Sequence, residues 1–106
     1  MDIRQCSQAV LDKYGLTREE WQAIWDAQGR CCPICKKEPK TQSPTEFMVD
    51  HKHVRKWKTM PPEKRKKYVR GIVCQWCNRS YLAKAMTLIK AQNLVIYFES
   101  LAKRGL

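Results

Sequence analysis

Both histidines of the chain lie in one run, Asp50-His51-Lys52-His53. Imidazole is the side chain whose ordinary pKa lies nearest neutrality, so it can take a proton from water at physiological pH. A histidine on an apolar face is usually structural. Two histidines beside an aspartate and next to a strongly basic stretch are a candidate catalytic group. Hydrolysis of a phosphodiester needs a base for the water, a cation for the charge on phosphate and leaving oxygen, and positive side chains to hold the backbone. Asp50 offers a carboxylate for a hard cation such as Mg²⁺, and Asn78 offers an amide oxygen. Adjacent residues on a regular strand point to opposite faces. Asp50 and His51 therefore share a site only if the chain leaves strand geometry there, in a loop.

Four cysteines frame this run as two C-x-x-C turns, Cys32-Pro33-Ile34-Cys35 and Cys74-Gln75-Trp76-Cys77, separated by 38 residues. Each turn aims two sulfurs at one point, and two turns make a tetrahedral set that suits structural zinc. Disulfides or a redox pair are the alternatives, and both are disfavoured in a reducing compartment. Cys6 reads as a small buried hydrophobe. Cys31 adjoins the first turn, but Cys32 has the ligand spacing.

The surrounding pattern supplies the elements that position these groups. Residues 2–15 read as a helix capped by Asp2, with Ile3, Cys6, Val10 and Leu11 near one face and Gly15 as its stop. Thr17 and Glu20 form a capping box for a helix to Gly29, with Leu16 and Trp21 at staple spacing and Trp21, Ile24 and Trp25 facing the core. Phe47 to Val49 and Val69 to Cys74 read as strands. Pro62 starts a short helix through Tyr68. From Asn78 the pattern is helical to about Arg104, with Leu82, Ala85, Met86 and Ile89 on one face and Leu94, Ile96, Tyr97, Phe98 and Leu101 forming a denser apolar set. A bend falls between Met86 and Asn93, and Gly105 is the stop.

The 106 residues indicate one small domain, and a core this size benefits from a metal staple. Lys and Arg number 21 against 10 Asp and Glu, a net charge of +11. Such a chain attracts nucleic acid or an acidic surface, unless the charge is only a solvated face. No stretch is apolar enough to span a bilayer, and the first residues lack the apolar region of a signal peptide. A cytoplasmic location follows.

A resemblance extends this reading. Tyr14-Gly15-Leu16-Thr17, Gln28-Gly29-Arg30-Cys31-Cys32-Pro33-Ile34-Cys35, Val49-Asp50-His51-Lys52-His53, Val69-Arg70-Gly71-Ile72-Val73-Cys74 and Cys77-Asn78-Arg79 occur in that order. In this the chain resembles the recombination endonuclease VII family of phage nucleases, within the His-Me finger (HNH) superfamily. The resemblance implies a ββα-metal core, in which a loop between two strands carries the base and a helix carries a metal ligand. It implies His51 as general base, Asp50 and Asn78 as ligands of a catalytic Mg²⁺ or Mn²⁺, and structural zinc on Cys32, Cys35, Cys74 and Cys77. It implies that His53 supports the scissile phosphate, and that the product ends are 5′-phosphate and 3′-hydroxyl. Two departures stand out. Tyr81 occupies a position where some members carry a metal-proximal glutamate. Residues 54–68 form an insertion where the family's connection is usually short.

That insertion lies in a segment, 52–70, with nine Lys or Arg and one acid, Glu63. Its charge points to a DNA-contacting arm, for which Lys52, Arg55, Lys56, Lys58, Lys64, Arg65, Lys66, Lys67 and Arg70, with Arg79, are the candidates. Trp57 and Tyr68 either stack on bases or pack.

The expectation is an α+β, mainly helical chain. N-terminal helices span 2–29, a zinc-stapled ββα-metal core spans 31–86, and a C-terminal helical segment spans 87–105, all one HNH endonuclease domain over 1–106. Its partner is DNA, duplex or branched, with a homodimer through the C-terminal helix and no membrane. If phage-encoded, it works in the host cytoplasm. The rival is a non-catalytic zinc-stabilised DNA-binding, packaging or regulatory module, which leaves Asp50, His51 and Asn78 idle.

Overall fold

Ser7 sets the start of the first helix in the computed structural model, which describes residues 7–40, 45–82 and 86–106. Its hydroxyl accepts from the Val10 N–H at 3.4 Å and opens α1, Gln8–Tyr14. Ser7 thus takes the capping role assigned to Asp2. Asp2, Ile3 and Cys6 lie outside the described residues. Gly15 closes α1 at φ +68°, and a Cβ there would meet the Pro62 carbonyl oxygen at 2.3 Å. Glycine is needed for both reasons.

The capping box of α2, Arg18–Ala27, forms as expected: Glu20 N–H donates to the Thr17 hydroxyl at 3.1 Å and Thr17 N–H to the Glu20 carboxylate at 3.0 Å. Trp21 and Trp25 turn inward and stack at 5.7 Å, and Trp25 meets the Phe47 ring edge at 4.8 Å. Around them Leu11, Tyr14, Leu16, Val49, Ile72 and Val73 complete a core that also takes in three cysteine side chains.

The sheet has two antiparallel strands, β1 (Phe47–His51) and β2 (Val69–Cys74). Pairing runs from Phe47–Cys74 to Asp50–Gly71 and then shifts, so that His51 pairs with Val69. Arg70 is the extra residue, a bulge that re-aims side chains where it occurs. The expected loop at Asp50 and His51 is therefore corrected. The strand continues through His51, and the bulge on the facing strand breaks the alternation.

The outer edge of β2 carries a side chain in place of a third strand. The Gln28 amide donates to the Ile72 carbonyl at 2.7 Å and accepts from the Ile72 N–H at 2.8 Å. A Cβ on Gly71 would lie 2.9 Å from the Gln28 Oε1. Glycine thus leaves room for the amide.

The 54–68 segment is folded against the body. It contains a 3-10 turn at Trp57–Thr59, helix α3 at Pro62–Arg65 and a second 3-10 turn at Lys66–Tyr68. Val54, Met60 and Tyr68 pack on the core, Trp57 is buried, and Lys66 pairs with Glu20 of α2. Helix α4, Gln75–Ser80, follows β2 directly, with the Cys74 sulfur accepting from the Cys77 N–H at 3.4 Å.

The helical run expected from Asn78 to about Arg104, with its bend between Met86 and Asn93, is corrected. α4 ends at Ser80, and α5, Leu88–Lys103, starts afresh with the Thr87 hydroxyl as its cap. Leu82 and Ile89 belong to separate stretches, and Ala85 lies outside the described residues. None of α5's residues is buried. Leu94, Ile96, Tyr97 and Phe98 are between 43% and 63% exposed, so the dense apolar set stands in solvent. Gly105, at φ +74°, ends the chain's helical course as expected.

Candidate active site and metal centre

The four cysteines Cys32, Cys35, Cys74 and Cys77 converge with all sulfurs within 4.8 Å of one another. The first turn is held by Cys32 N–H to the Lys37 carbonyl and Lys36 N–H to the Cys32 carbonyl, both 2.9 Å, with Lys36 at φ +65°. The second is the start of α4. Zn–S bonds of about 2.3 Å place tetrahedral sulfurs about 3.8 Å apart, and the Cys35 and Cys74 sulfurs are 3.7 Å apart. Burial pushes the Cys32 thiol up, but backbone N–H groups of Cys74, Cys35 and Ile34 outweigh it and bring it to about 7. Burial, followed by the neighbouring thiols, pushes Cys77 up. Four crowded sulfurs resist ionising together unless a cation shares their charge, so the donor set fits Zn²⁺. Cys31 stands apart, its thiol turned to the Gln28 carbonyl at 3.6 Å.

Asp50 is the buried polar residue among the described core, and both its oxygens accept from Arg70, at 2.8 and 2.9 Å. Met48 and Asp50, two apart on β1, share a face. Asn78 reaches that face, its Nδ2 lying 3.8 Å from the Met48 sulfur. Each carboxylate oxygen keeps a lone pair beyond its Arg70 bond, and the Asn78 Oδ1 has no partner among the described residues. Two oxygen donors suit a cation that retains most of its water, as Mg²⁺ does.

His51 is half-buried at the bulge. Burial is the main cause lowering its pKa, with electrostatic interaction with His53, Lys13 and Arg70 acting the same way and Asp50 opposing them. The neutral, proton-accepting form is thereby favoured. The His53 ring lies 4.9 Å from that of His51, and both line a cleft of about 320 Å³ with Val54, Lys56, Trp57 and Lys58.

The ten basic candidates divide by what they touch. Arg70 holds Asp50, Lys66 pairs with Glu20, and Arg65 donates to the carbonyls of Lys13 and Lys58 at 3.1 and 2.8 Å. Lys52, Arg55, Lys56, Lys58, Lys64, Lys67 and Arg79 are exposed. The Tyr81 ring is also exposed and meets the Trp76 ring edge-on at 5.1 Å.

One positioning group, Gln28, escaped the sequence reading, and a second, Trp57, was left there between stacking on a base and packing. Gln28 bonds a partner 44 positions away, and Trp57 stacks on His51 at 4.2 Å with 20° between ring planes. The signal for Gln28 was a glycine, Gly71, inside a strand, which marks a close approach. For Trp57 the only signal was a bulky aromatic in an otherwise charged stretch.

No helix among the described residues is long and apolar enough to cross a membrane. Compared with known proteins, residues 7–100 match the family profile of recombination endonuclease VII. A relative, the Gene 59 protein of Mycobacterium phage D29, is 32% identical over 81 residues, which are 76% of this chain and 41% of that protein. The chain thus spans about two fifths of the length of that relative. No solved structure matches it.

Proposed function

The chain belongs to the recombination endonuclease VII family, and from that premise we propose that it is a metal-dependent DNA endonuclease of the His-Me finger (HNH) type. β1, β2 with its bulge, and α4 serve as the ββα-metal core of one nuclease domain over 1–106. The observation that carries the reading is the juxtaposition at the bulge. A half-buried imidazole opens on a cleft with Lys56 and Lys58, next to a carboxylate whose strand face also receives Asn78.

His51 takes the proton of the attacking water as the oxygen–phosphorus bond forms. The bond from phosphorus to the 3′ oxygen breaks, leaving 5′-phosphate and 3′-hydroxyl ends. Mg²⁺ or Mn²⁺ on Asp50 and Asn78 would supply charge stabilisation at the phosphate and the leaving oxygen. His53 steadies the scissile phosphate. Arg70 fixes the Asp50 carboxylate through two hydrogen bonds. The exposed Lys and Arg residues, with Arg65, Lys66 and Arg70 contributing longer-range charge, hold the phosphate backbone without reading bases. Zinc on the four cysteines would tie the turn at residues 32–35 to the end of β2 and the start of α4. The exposed face of α5 suits a second copy of the chain, giving a homodimer. Its phage relative supports action in the cytoplasm of an infected host.

The test is nicking of supercoiled plasmid, linear duplex and a four-way junction with Mg²⁺, Mn²⁺ or chelator. His51→Ala should abolish cleavage and retain DNA binding. Undiminished cleavage by that variant overturns the assignment. Binding by the wild type without cleavage under any metal makes the chain a non-catalytic DNA-binding module instead.

A further inference from the structure

The 54–68 segment contributes to the site through Trp57 as well as through charge. The turn that delivers Trp57 begins at Lys56, which adopts φ +61°, a conformation disfavoured for a residue with a Cβ. The Trp57 ring lies almost parallel to the His51 imidazole, 4.2 Å away. Arg65 covers Trp57 at 4.8 Å from its guanidinium to the ring centre. Arg65 is itself fixed by its bonds to the Lys13 and Lys58 carbonyls, which join α1 to the inserted segment. Tyr14 closes the side, its ring 5.5 Å from both His51 and Trp57. Trp57 is 8% exposed, which leaves no open face for a DNA base. Its indole N–H has no partner among the described residues. A packed indole facing an imidazole restricts rotation of that ring about χ2 and lets it slide little in its own plane.

We propose that Trp57, clamped by Arg65, is a positioning residue for His51, holding the imidazole plane in the orientation from which it accepts the proton. The inference rests on the reading of His51 as the base. On it, the insertion supports the reaction by bracing the base from behind, and its exposed lysines and arginines are a separate matter.

The experiment uses the zinc-loaded 106-residue chain, with plasmid nicking in Mg²⁺ measured as kcat and KM. Trp57→Leu keeps apolar volume and removes the flat ring, whereas Trp57→Phe keeps a flat ring. Loss of alignment without loss of binding should lower kcat by about 10- to 100-fold in Trp57→Leu with KM little changed, and Trp57→Phe should restore most of it. The His51 ring protons, assigned by their loss in His51→Ala, should be displaced upfield by the indole ring current in the wild type. They should return toward ordinary histidine positions in Trp57→Leu. If Trp57→Leu does not fold, Arg65→Met decides the matter, since it frees the outer indole face without touching His51. It should lower kcat by a smaller factor, separately from the rise in KM that follows from removing one charge that holds the phosphate backbone. Wild-type kcat in Trp57→Leu, or in Arg65→Met where that variant decides, overturns the proposal. So does a fall in kcat that merely tracks lost thermal stability. His51→Ala run alongside separates the two ideas. If it still cleaves, the base assignment fails. If it is inactive while Trp57→Leu is normal, only the role of Trp57 fails.

Discussion

Replacing Gly71 with alanine should unseat a side chain from the other end of the sequence. The added Cβ would sit 2.9 Å from the Gln28 Oε1, a distance that real contacts do not reach, so the amide must move. Moving it breaks the two short hydrogen bonds to Ile72, a residue with no exposed surface, and leaves the Ile72 N–H and carbonyl to find water. A net hydrogen bond is worth about 1 kcal/mol, and a buried group left unpaired costs about 1–3 kcal/mol. Loss of the bridge therefore costs about 2–4 kcal/mol. Gly71 does not adopt positive φ, so alanine also narrows the unfolded ensemble and returns about 0.5–1 kcal/mol. The net loss for Gly71→Ala is about 1–3 kcal/mol. Gln28→Ala alone should cost about 2–4 kcal/mol, the bridge without that return. The double variant should be no less stable than Gln28→Ala, because the alanine at 71 then has nothing to displace. The coupling between the sites, about 2–4 kcal/mol, is the quantity that tests the reasoning. It is read from urea unfolding of the zinc-loaded wild type, both single variants and the double variant, with m-values compared. Additive losses would refute it.

Four further outcomes follow from other parts of the molecule. Cys74→Ala should lose bound zinc and the fold together, measured by metal content and circular dichroism; a folded, zinc-loaded variant would contradict the four-sulfur site. Arg70→Leu should cost about 1–3 kcal/mol, less than a fully buried pair because Arg70 is 43% exposed, and Asp50→Asn in the same chain should recover most of it in urea unfolding. Glu20 is held below its ordinary value of 4.5, first by the Lys66 hydrogen bond and then by the Thr17 N–H, against a small opposing effect of burial. Its contribution is thus complete above 4.5 and is lost as pH falls through the lower folded value. Glu20→Gln should flatten the acid limb of melting temperature against pH, and an unchanged limb would refute the pairing. Leu94→Glu with Phe98→Glu on α5 should convert a dimer to a monomer in sedimentation equilibrium without lowering the melting temperature of the zinc-loaded body.

What the sequence displayed and what it hid divide along a physical line. Local signals were legible: the Thr17–Glu20 capping box, the start of α3 at Pro62, the limits of β2 and the sulfur set at Cys32, Cys35, Cys74 and Cys77. The first three depend on neighbours a few residues away, and the sulfur set on two such local pairs. The bulge at Arg70 was not legible, because it is a property of two strands' register. The break after Ser80 was masked by apolar residues that happen to keep helical phase across it, so that Leu82 and Ile89 looked like one face. The apolar set of α5 was legible in its composition, but how much of it stays exposed depends on what the rest of the chain can cover. Trp57 was a choice between a base and a core, and its neighbours His51 and Arg65 are set by tertiary folding alone.

The Gln28 amide has a consequence for how molecules of this protein behave toward each other. A strand whose outer N–H and carbonyl groups are free is a template on which another chain's strand can add. β2, Val69-Arg70-Gly71-Ile72-Val73-Cys74, is rich in β-formers and carries one charge, the type of segment that stacks into fibrous aggregates. Gln28 occupies that outer edge at its most apolar point with the two hydrogen bonds a newcomer would need. The arrangement ends the sheet at two strands with one side chain, so that a small sheet of apolar strands stays closed to further growth on that side.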